Sequence, residues 1–485
     1  MTERTRQIVE VLRRLHQRPP SSPAQLATDR RQATKALALE LGIDERTVSD
    51  KLWRGLQGQR GEAFHIADFD ALVWAWLQGE PAALRERCLA SASTDDDRAA
   101  FEGFFNDPGT APTADAPTSR PAPPPRRSGK DIVEHVFLSL EAEGLDFSYA
   151  QVADLYLSMR TKPFVLLAGV SGTGKSIVAR RFAQACGFPA AMVAVRPDWS
   201  DPSELLGYRD LEGAYVPGRL IPHLVAAAEA PEQPYIVILD EMNLARVEHY
   251  FADLLSLMET RSLKESGVET DALALAIDVH TPLRCDPSLQ ASLKAQLSAG
   301  GLRLPPNLII VGTVNMDEST HPFSKKVLDR AMTLEFVTVN LARVPELRRP
   351  PPPLPVHSAD LDAPYLSLAQ VYAGQAERFK PAIDLLVELN TVLSSASMQV
   401  GYRTRDELCV FLHHNREQQL LDETTALDLA VYHKVLPRLQ GGEELRGVLQ
   451  GLRPLLVEAK LSRCAAKIDE LLRRLEAAGF AAFWA

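Results

Sequence analysis

Cysteine is scarce in this chain. Its 485 residues hold five, Cys88, Cys186, Cys285, Cys409 and Cys464, scattered and with no C-x-x-C pair. That spacing excludes a disulfide framework and a thiolate metal knuckle, and it points to free buried thiols in a reducing compartment. The histidines, His413-His414 included, have no ligand-spaced partners, so no histidine metal centre is expected. No apolar run is long enough to span a bilayer, and Met1-Thr-Glu-Arg carries no apolar leader. The expectation is a cytoplasmic protein with no membrane partner. Internal repeats are absent. Basic residues are in deficit, 53 Lys and Arg against 63 Asp and Glu, for a net charge of −10. This excludes a uniformly basic nucleic-acid coat but leaves room for a local basic face.

What is present is the composition of a soluble globular protein, 46% hydrophobic and 24% charged, with length for two to four domains. The apolar run Phe164-Val-Leu-Leu-Ala168 is followed by Gly169-Val170-Ser171-Gly172-Thr173-Gly174-Lys175-Ser176. This is the Gly-x-x-x-x-Gly-Lys-[Ser/Thr] phosphate loop, set between a strand and an amphipathic helix carrying Ile177, Val178 and Phe182. Backbone N–H groups must converge on phosphate there, so side chains are excluded. Lys175 supplies charge to the β/γ-phosphates, the Ser176 hydroxyl ligates Mg²⁺, and the helix N-terminus adds its partial positive charge.

Two more apolar runs end in polar residues: Tyr235-Ile-Val-Ile-Leu239 before Asp240-Glu241, and Leu308-Ile-Ile-Val-Gly312 before Asn315. Continuous runs of this length suit central strands of a parallel sheet, whose carboxyl ends collect the active groups. Asp240 fits the carboxylate that holds Mg²⁺. Glu241 is placed to polarise a water for attack on the γ-phosphate, and Asn315 to fix that water by a neutral hydrogen bond. Asn243 lies one turn beyond Asp240 and is a further candidate.

Together these motifs resemble the AAA+ ATPases and, more specifically, the motor subunit of McrB-type restriction systems. The resembling segments are Thr161 to Lys175, Arg196-Pro-Asp-Trp-Ser-Asp201, Leu239-Asp-Glu-Met-Asn-Leu-Ala-Arg246, Gly312 to Arg330, and Lys434-Val-Leu-Pro-Arg438. They spread over Asp131 to Ala485. The resemblance implies that Arg330 is an arginine finger entering a neighbour's site in a homo-oligomeric ring, a hexamer in that family. It implies a lid sensor at Arg403 or Arg405, and a hairpin in the insert between Glu259 and Pro305 that faces the ring axis or a partner. Met316-Asp-Glu follows Asn315 where GTP-using members have Thr-Ala-Asp, so ATP is the expected nucleotide, with GTP the alternative. No paired-carboxylate-plus-lysine nuclease motif stands out, so a separate McrC-like nuclease subunit is implied.

Asp107 to Lys130, rich in Pro, Ala and Thr, has almost no large apolar side chain and reads as a disordered tether. Before it, Ala36 to Trp53 reads as helix, turn at Gly42, second helix, with Leu37, Leu41, Ile43, Val48 and Leu52 packing the pair. This is a helix-turn-helix arrangement. The first sixty residues hold 12 Lys and Arg against 7 Asp and Glu. Arg46, Ser49, Lys51 and Arg54 are the candidate DNA contacts, with protein docking the alternative use.

The expected architecture is an α/β AAA+ P-loop fold, a parallel sheet flanked by helices, with a helical C-terminal lid and a small all-α N-terminal domain. The domains are a helical domain at 1–106, a linker at 107–130, the AAA+ core at 131–345, a Pro-rich connector at 346–378 and the lid at 379–485. The expected function is a DNA-targeted, Mg²⁺-dependent motor in an anti-phage restriction system. The rival is a regulatory or chaperone-like ATPase that remodels a protein complex.

Overall fold

The computed structural model describes residues 2–17, 30, 33–34, 72–73, 82–92, 94–106, 123–265, 267–275, 277–316, 321–337, 340–342, 348–363, 368–373 and 376–484. The chain divides into two units, Met1–Ala122 and Pro123–Ala485. The first contains helices α1 (Glu3–Gln17), α2 (Ala82–Ala90) and α3 (Asp95–Asn106). Ile8, Val11, Leu12 and Leu15 recur at helical spacing on α1 and pack with Leu84, Cys88, Phe101 and Phe104. The helix-turn-helix reading at 36–53, with Arg46, Ser49, Lys51 and Arg54, lies outside the described residues, as does the 107–122 part of the tether expected at 107–130. The end of that tether is ordered instead, the Arg127 N–H donating to Asp360 at 2.7 Å and Ser128 capping the helix that starts at Gly129.

The second unit opens with α4 (Gly129–Ala142), where the Ser128 side chain accepts from the Asp131 N–H, and α5 (Tyr149–Thr161), which starts with a Ser148/Gln151 capping box. Then come β1 (Phe164–Gly169), α6 (Lys175–Ala185), β2 (Ala190–Ala194), the hairpin β3 (Gly207–Arg209) and β4 (Tyr215–Pro217), and α7 (Ile221–Glu229). β5 (Tyr235–Asp240), α8 (Ala252–Glu259), the hairpin β6 (Ser262–Lys264) and β7 (Gly267–Glu269), and α9 (Pro287–Ser298) follow. β8 (Leu308–Asn315) and β9 (Met332–Phe336) complete a five-stranded sheet in the order β2-β5-β8-β1-β9, parallel throughout.

Side chains alternate across the sheet, so one continuous apolar run serves two cores. Val165, Leu167, Ile236, Ile238, Ile309 and Val311 face one cluster. Phe164, Leu166, Ala168, Val237, Leu239 and Ile310 face the other. The first cluster continues without a break into the C-terminal helices α10 (Ala376–Ser394), α11 (Tyr402–Gln418), α12 (Glu423–Lys434), α13 (Glu444–Glu458) and α14 (Ser462–Ala478). On α10 the stripe of Leu386, Leu389 and Leu393 is buried, and Ile383 and Val392 pack beside it. The strip around Pro350–Pro355 runs past the end of α6, where the Leu354 N–H donates to the Ala185 carbonyl at 2.8 Å. Among the described residues no helix is long and apolar enough to cross a membrane.

Candidate functional site: a nucleotide pocket at the strand ends

Strand register brings the three sequence motifs together. Gly169 at the end of β1 is level with Asn315 at the end of β8, and Leu239 of β5 is level with Gly312. The phosphate loop, Asp240-Glu241 and Asn315 therefore emerge along one edge, as a parallel sheet requires. There they line a cavity of about 200 Å³, together with Ser171, Gly172, Gly174, Lys175, Ser176, Ile177 and Thr313.

The loop's shape explains its glycines. Gly169 has φ 151°, and a Cβ there would stand 2.1 Å from the Phe336 carbonyl oxygen. Gly174 has φ 87° at the start of α6, where left-handed backbone favours glycine. Thr173 closes the turn, its hydroxyl donating to the Val170 carbonyl at 2.9 Å. Lys175 is buried, and its ammonium donates to the carbonyls of Gly169 at 2.9 Å and Val170 at 2.7 Å. Its charge is thus folded back over the loop that surrounds the cavity.

The acidic side is ordered by a chain of hydrogen bonds. Ser176 Oγ donates to Asp240 Oδ1 at 2.5 Å, and Thr313 Oγ1 donates to the same oxygen at 2.8 Å. Thr313 Oγ1 also accepts from the Glu241 N–H at 2.9 Å. Asn315 Nδ2 donates to Glu241 Oε1 at 2.9 Å. Glu241 itself has left-handed backbone, φ 55° and ψ 49°, a costly conformation for a residue with a side chain. Asn243 does not line the cavity. It is buried and donates to the Asn315 carbonyl at 2.9 Å, supporting Asn315 from behind.

Mg²⁺ and a nucleotide polyphosphate fit this arrangement. Ser176 and Asp240 offer two hard oxygen donors side by side, which suits an ion that takes its remaining ligands from phosphate and water. Among the described residues no group of three or more His, Cys, Asp or Glu could hold a metal without such help.

Arg330 lies elsewhere. Val165 of β1 pairs with Met332 of β9, so Arg330 sits near the amino ends of the strands, roughly 20 Å from the loop at about 3.3 Å per residue. It cannot reach phosphates bound by its own chain. Arg330 Nε pairs with Glu259 Oε1 at 2.8 Å, and Arg403 Nη2 pairs with that same oxygen at 2.6 Å. Arg403, one of the two lid-sensor candidates, therefore stands beside Arg330 at the Glu259 carboxylate. The reason is the docking of the start of α11 at the amino end of β1, where Glu407 pairs with Lys162 at 2.6 Å and with Lys434 at 2.6 Å. Burial pulls the Lys162 ammonium down to about 8, against the pull of Glu407. Arg405 pairs with Asp406 at 2.7 Å and lies over the Tyr402 ring.

Sequence reading missed Thr313 and Glu259. Thr313 had a signal, a hydroxyl inside the otherwise apolar strand Leu308–Val314. Glu259 had none, because its partners are remote in the chain.

Residues 164–331 match the family described as an AAA domain of the dynein-related subfamily. The segment has the AAA+ P-loop fold. Residues 355–480, which include most of the helices docked on that AAA+ core, match a domain of unknown function. Among solved structures, a candidate ATPase from Cytophaga hutchinsonii is similar at 13% identity, covering 64% of this chain and 86% of that one with a TM-score of 0.36. No curated protein matches the chain.

Proposed function

We propose that the AAA+ core hydrolyses a nucleoside triphosphate, ATP in the first instance with GTP the alternative, at the cavity between the phosphate loop and β8. The observation that carries this reading is the hydrogen-bond chain from Ser176 through Asp240 and Thr313 to Glu241 and Asn315. The loop amides of Gly169 to Ser176 and the Lys175 ammonium bind the β- and γ-phosphates. Ser176 and Asp240 hold Mg²⁺, which when bound neutralises phosphate charge. Glu241 takes a proton from water as the water oxygen bonds to the γ-phosphorus and the bond to the bridging oxygen breaks, releasing diphosphate nucleotide and phosphate. Asn315 keeps the Glu241 carboxylate aimed. Glu241→Gln is expected to bind Mg–nucleotide with near-normal affinity and to turn over about 10²-fold or more slowly. Lys175→Ala is expected to lose affinity as well. Nucleotide binding and steady-state hydrolysis measured on both variants check this, and wild-type turnover by Glu241→Gln would remove the assignment.

The finer reading is a McrB-like motor: a homo-oligomeric ring in which Arg330 serves the neighbour's phosphates, coupled to a DNA target through the N-terminal unit and to a McrC-like nuclease. The motif segments shared with that family support it, and so does the distance of Arg330 from its own loop. The rival, an ATPase that remodels a protein complex, shares the same site chemistry. A nuclease-bearing chain that co-purifies with this one favours the motor, and hydrolysis indifferent to DNA with a non-nuclease partner favours the rival.

A further inference from the structure

We infer that Glu259 is a positioning residue for the reaction, holding Arg330 and Arg403 as a pair that one subunit presents to its neighbour's nucleotide. The inference rests on the proposed trans role of Arg330.

One oxygen, Glu259 Oε1, is shared by two guanidiniums, at 2.8 Å to Arg330 Nε and 2.6 Å to Arg403 Nη2. The three residues come from three elements: α8, the turn before β9, and the start of α11. Two like charges at this separation repel, and Arg330 is only 19% exposed, so solvent screens it poorly. Glu259 reduces the trio's charge to a net +1 and gives both arginines one anchor.

The placement of Glu259 carries the same message. It is the last residue of α8, where the helix's partial negative charge disfavours a carboxylate. Nothing in α8 itself calls for an acid there; the two arginines do. The other acids nearby already have partners: Asp329 binds Arg438, and Glu407 binds Lys162 and Lys434. The Arg330 head is held on a second side by its Nη1 donating to the Lys326 carbonyl at 2.8 Å, so its direction is set by the fold before a neighbour arrives. A pre-set direction matters because misplacing a charge by about 1 Å at a reacting phosphoryl can cost about 10²-fold in rate.

The test uses full-length Glu259→Gln, which keeps the shape and loses the charge, with Glu259→Ala, Glu259→Asp, Arg330→Ala and Lys175→Ala beside it. Glu259→Gln and Glu259→Ala should keep nucleotide affinity and KM while kcat falls about 10- to 100-fold. Glu259→Asp should recover part of the loss. Mixing Glu259→Ala with Lys175→Ala subunits should raise turnover, because the Lys175→Ala subunit still presents an intact arginine pair to the working loop of the other. Wild-type or faster kcat in Glu259→Gln, with Arg330→Ala inactive, overturns the role of Glu259 and leaves the finger standing. Wild-type turnover by Arg330→Ala overturns the parent reading instead. A loss in Glu259→Gln at unchanged melting temperature that no mixture restores also overturns the inference, since Glu259 would then act within its own subunit.

Discussion

Glu241 spends conformational energy to stand where it does. Its left-handed backbone costs on the order of 1 kcal/mol, and the Thr313 hydroxyl offsets this by accepting the Glu241 N–H while donating to Asp240. One hydroxyl therefore sets the geometry of both acids. Thr313→Val keeps the shape and removes the donor and the acceptor together. It is expected to lower kcat about tenfold and to raise the Mg²⁺ concentration needed for half-maximal rate, with Thr313→Ser restoring both. Hydrolysis titrated with Mg²⁺ measures this, and an unchanged Mg²⁺ requirement in Thr313→Val would separate Thr313 from the metal side of the site. The residue was legible after the fact as a lone hydroxyl in an apolar strand. Its two partners were not, because register across β5 and β8 decides them.

At the scale of elements, α11 is the C-terminal helix that braces its neighbours against the start of β1. Its start is tied through Glu407 to Lys162, two residues before β1, and farther along it buries His414. Burial pushes the His414 imidazole down to about 4, with Glu417 pulling the other way and Arg160 and His413 adding to the fall. The folded pKa lies below the unfolded value, so His414 contributes nothing at pH 7. As pH falls below about 6.5 the unfolded chain takes up a proton that the folded one refuses until about 4, and stability is lost across that window. His414→Leu should therefore lose less stability than the wild type between those pH values, by up to about 3 kcal/mol. Melting temperatures of both proteins from pH 7 to 4 test it, and parallel curves would remove His414 as the source. The apolar stripe of α10 was readable from its spacing. The docking of α11 was not, since a Glu407 between two lysines distant in sequence leaves no periodic trace.

For the whole molecule, charge is unevenly spread: a net charge of −10 overall, yet a basic excess in the first sixty residues. If the N-terminal unit meets DNA, affinity should fall steeply with salt, because each neutralised phosphate releases counterions. Arg46→Ala with Arg54→Ala in the full chain should weaken binding and flatten the salt slope by about one unit per lost phosphate contact, with basal hydrolysis unchanged. Binding to duplex DNA at several salt concentrations, with turnover measured alongside, tests this. No affinity even at low salt would move the N-terminal unit to protein docking and favour the remodelling rival.

The sequence by itself determined the class of the core. A phosphate loop, a strand-end Asp-Glu and a strand-end Asn are local patterns, and apolar runs of strand length announce a parallel sheet whose carboxyl ends must converge. Tertiary structure alone decided which groups join them. Register put Thr313 between Asp240 and Glu241, alternation divided one apolar run between two cores, and chain folding brought Arg330 and Arg403 onto a single carboxylate oxygen of Glu259. The physical reason is range: hydrophobic periodicity and turn chemistry act within a few residues, whereas an ion pair depends on distance in space and on what else is buried nearby.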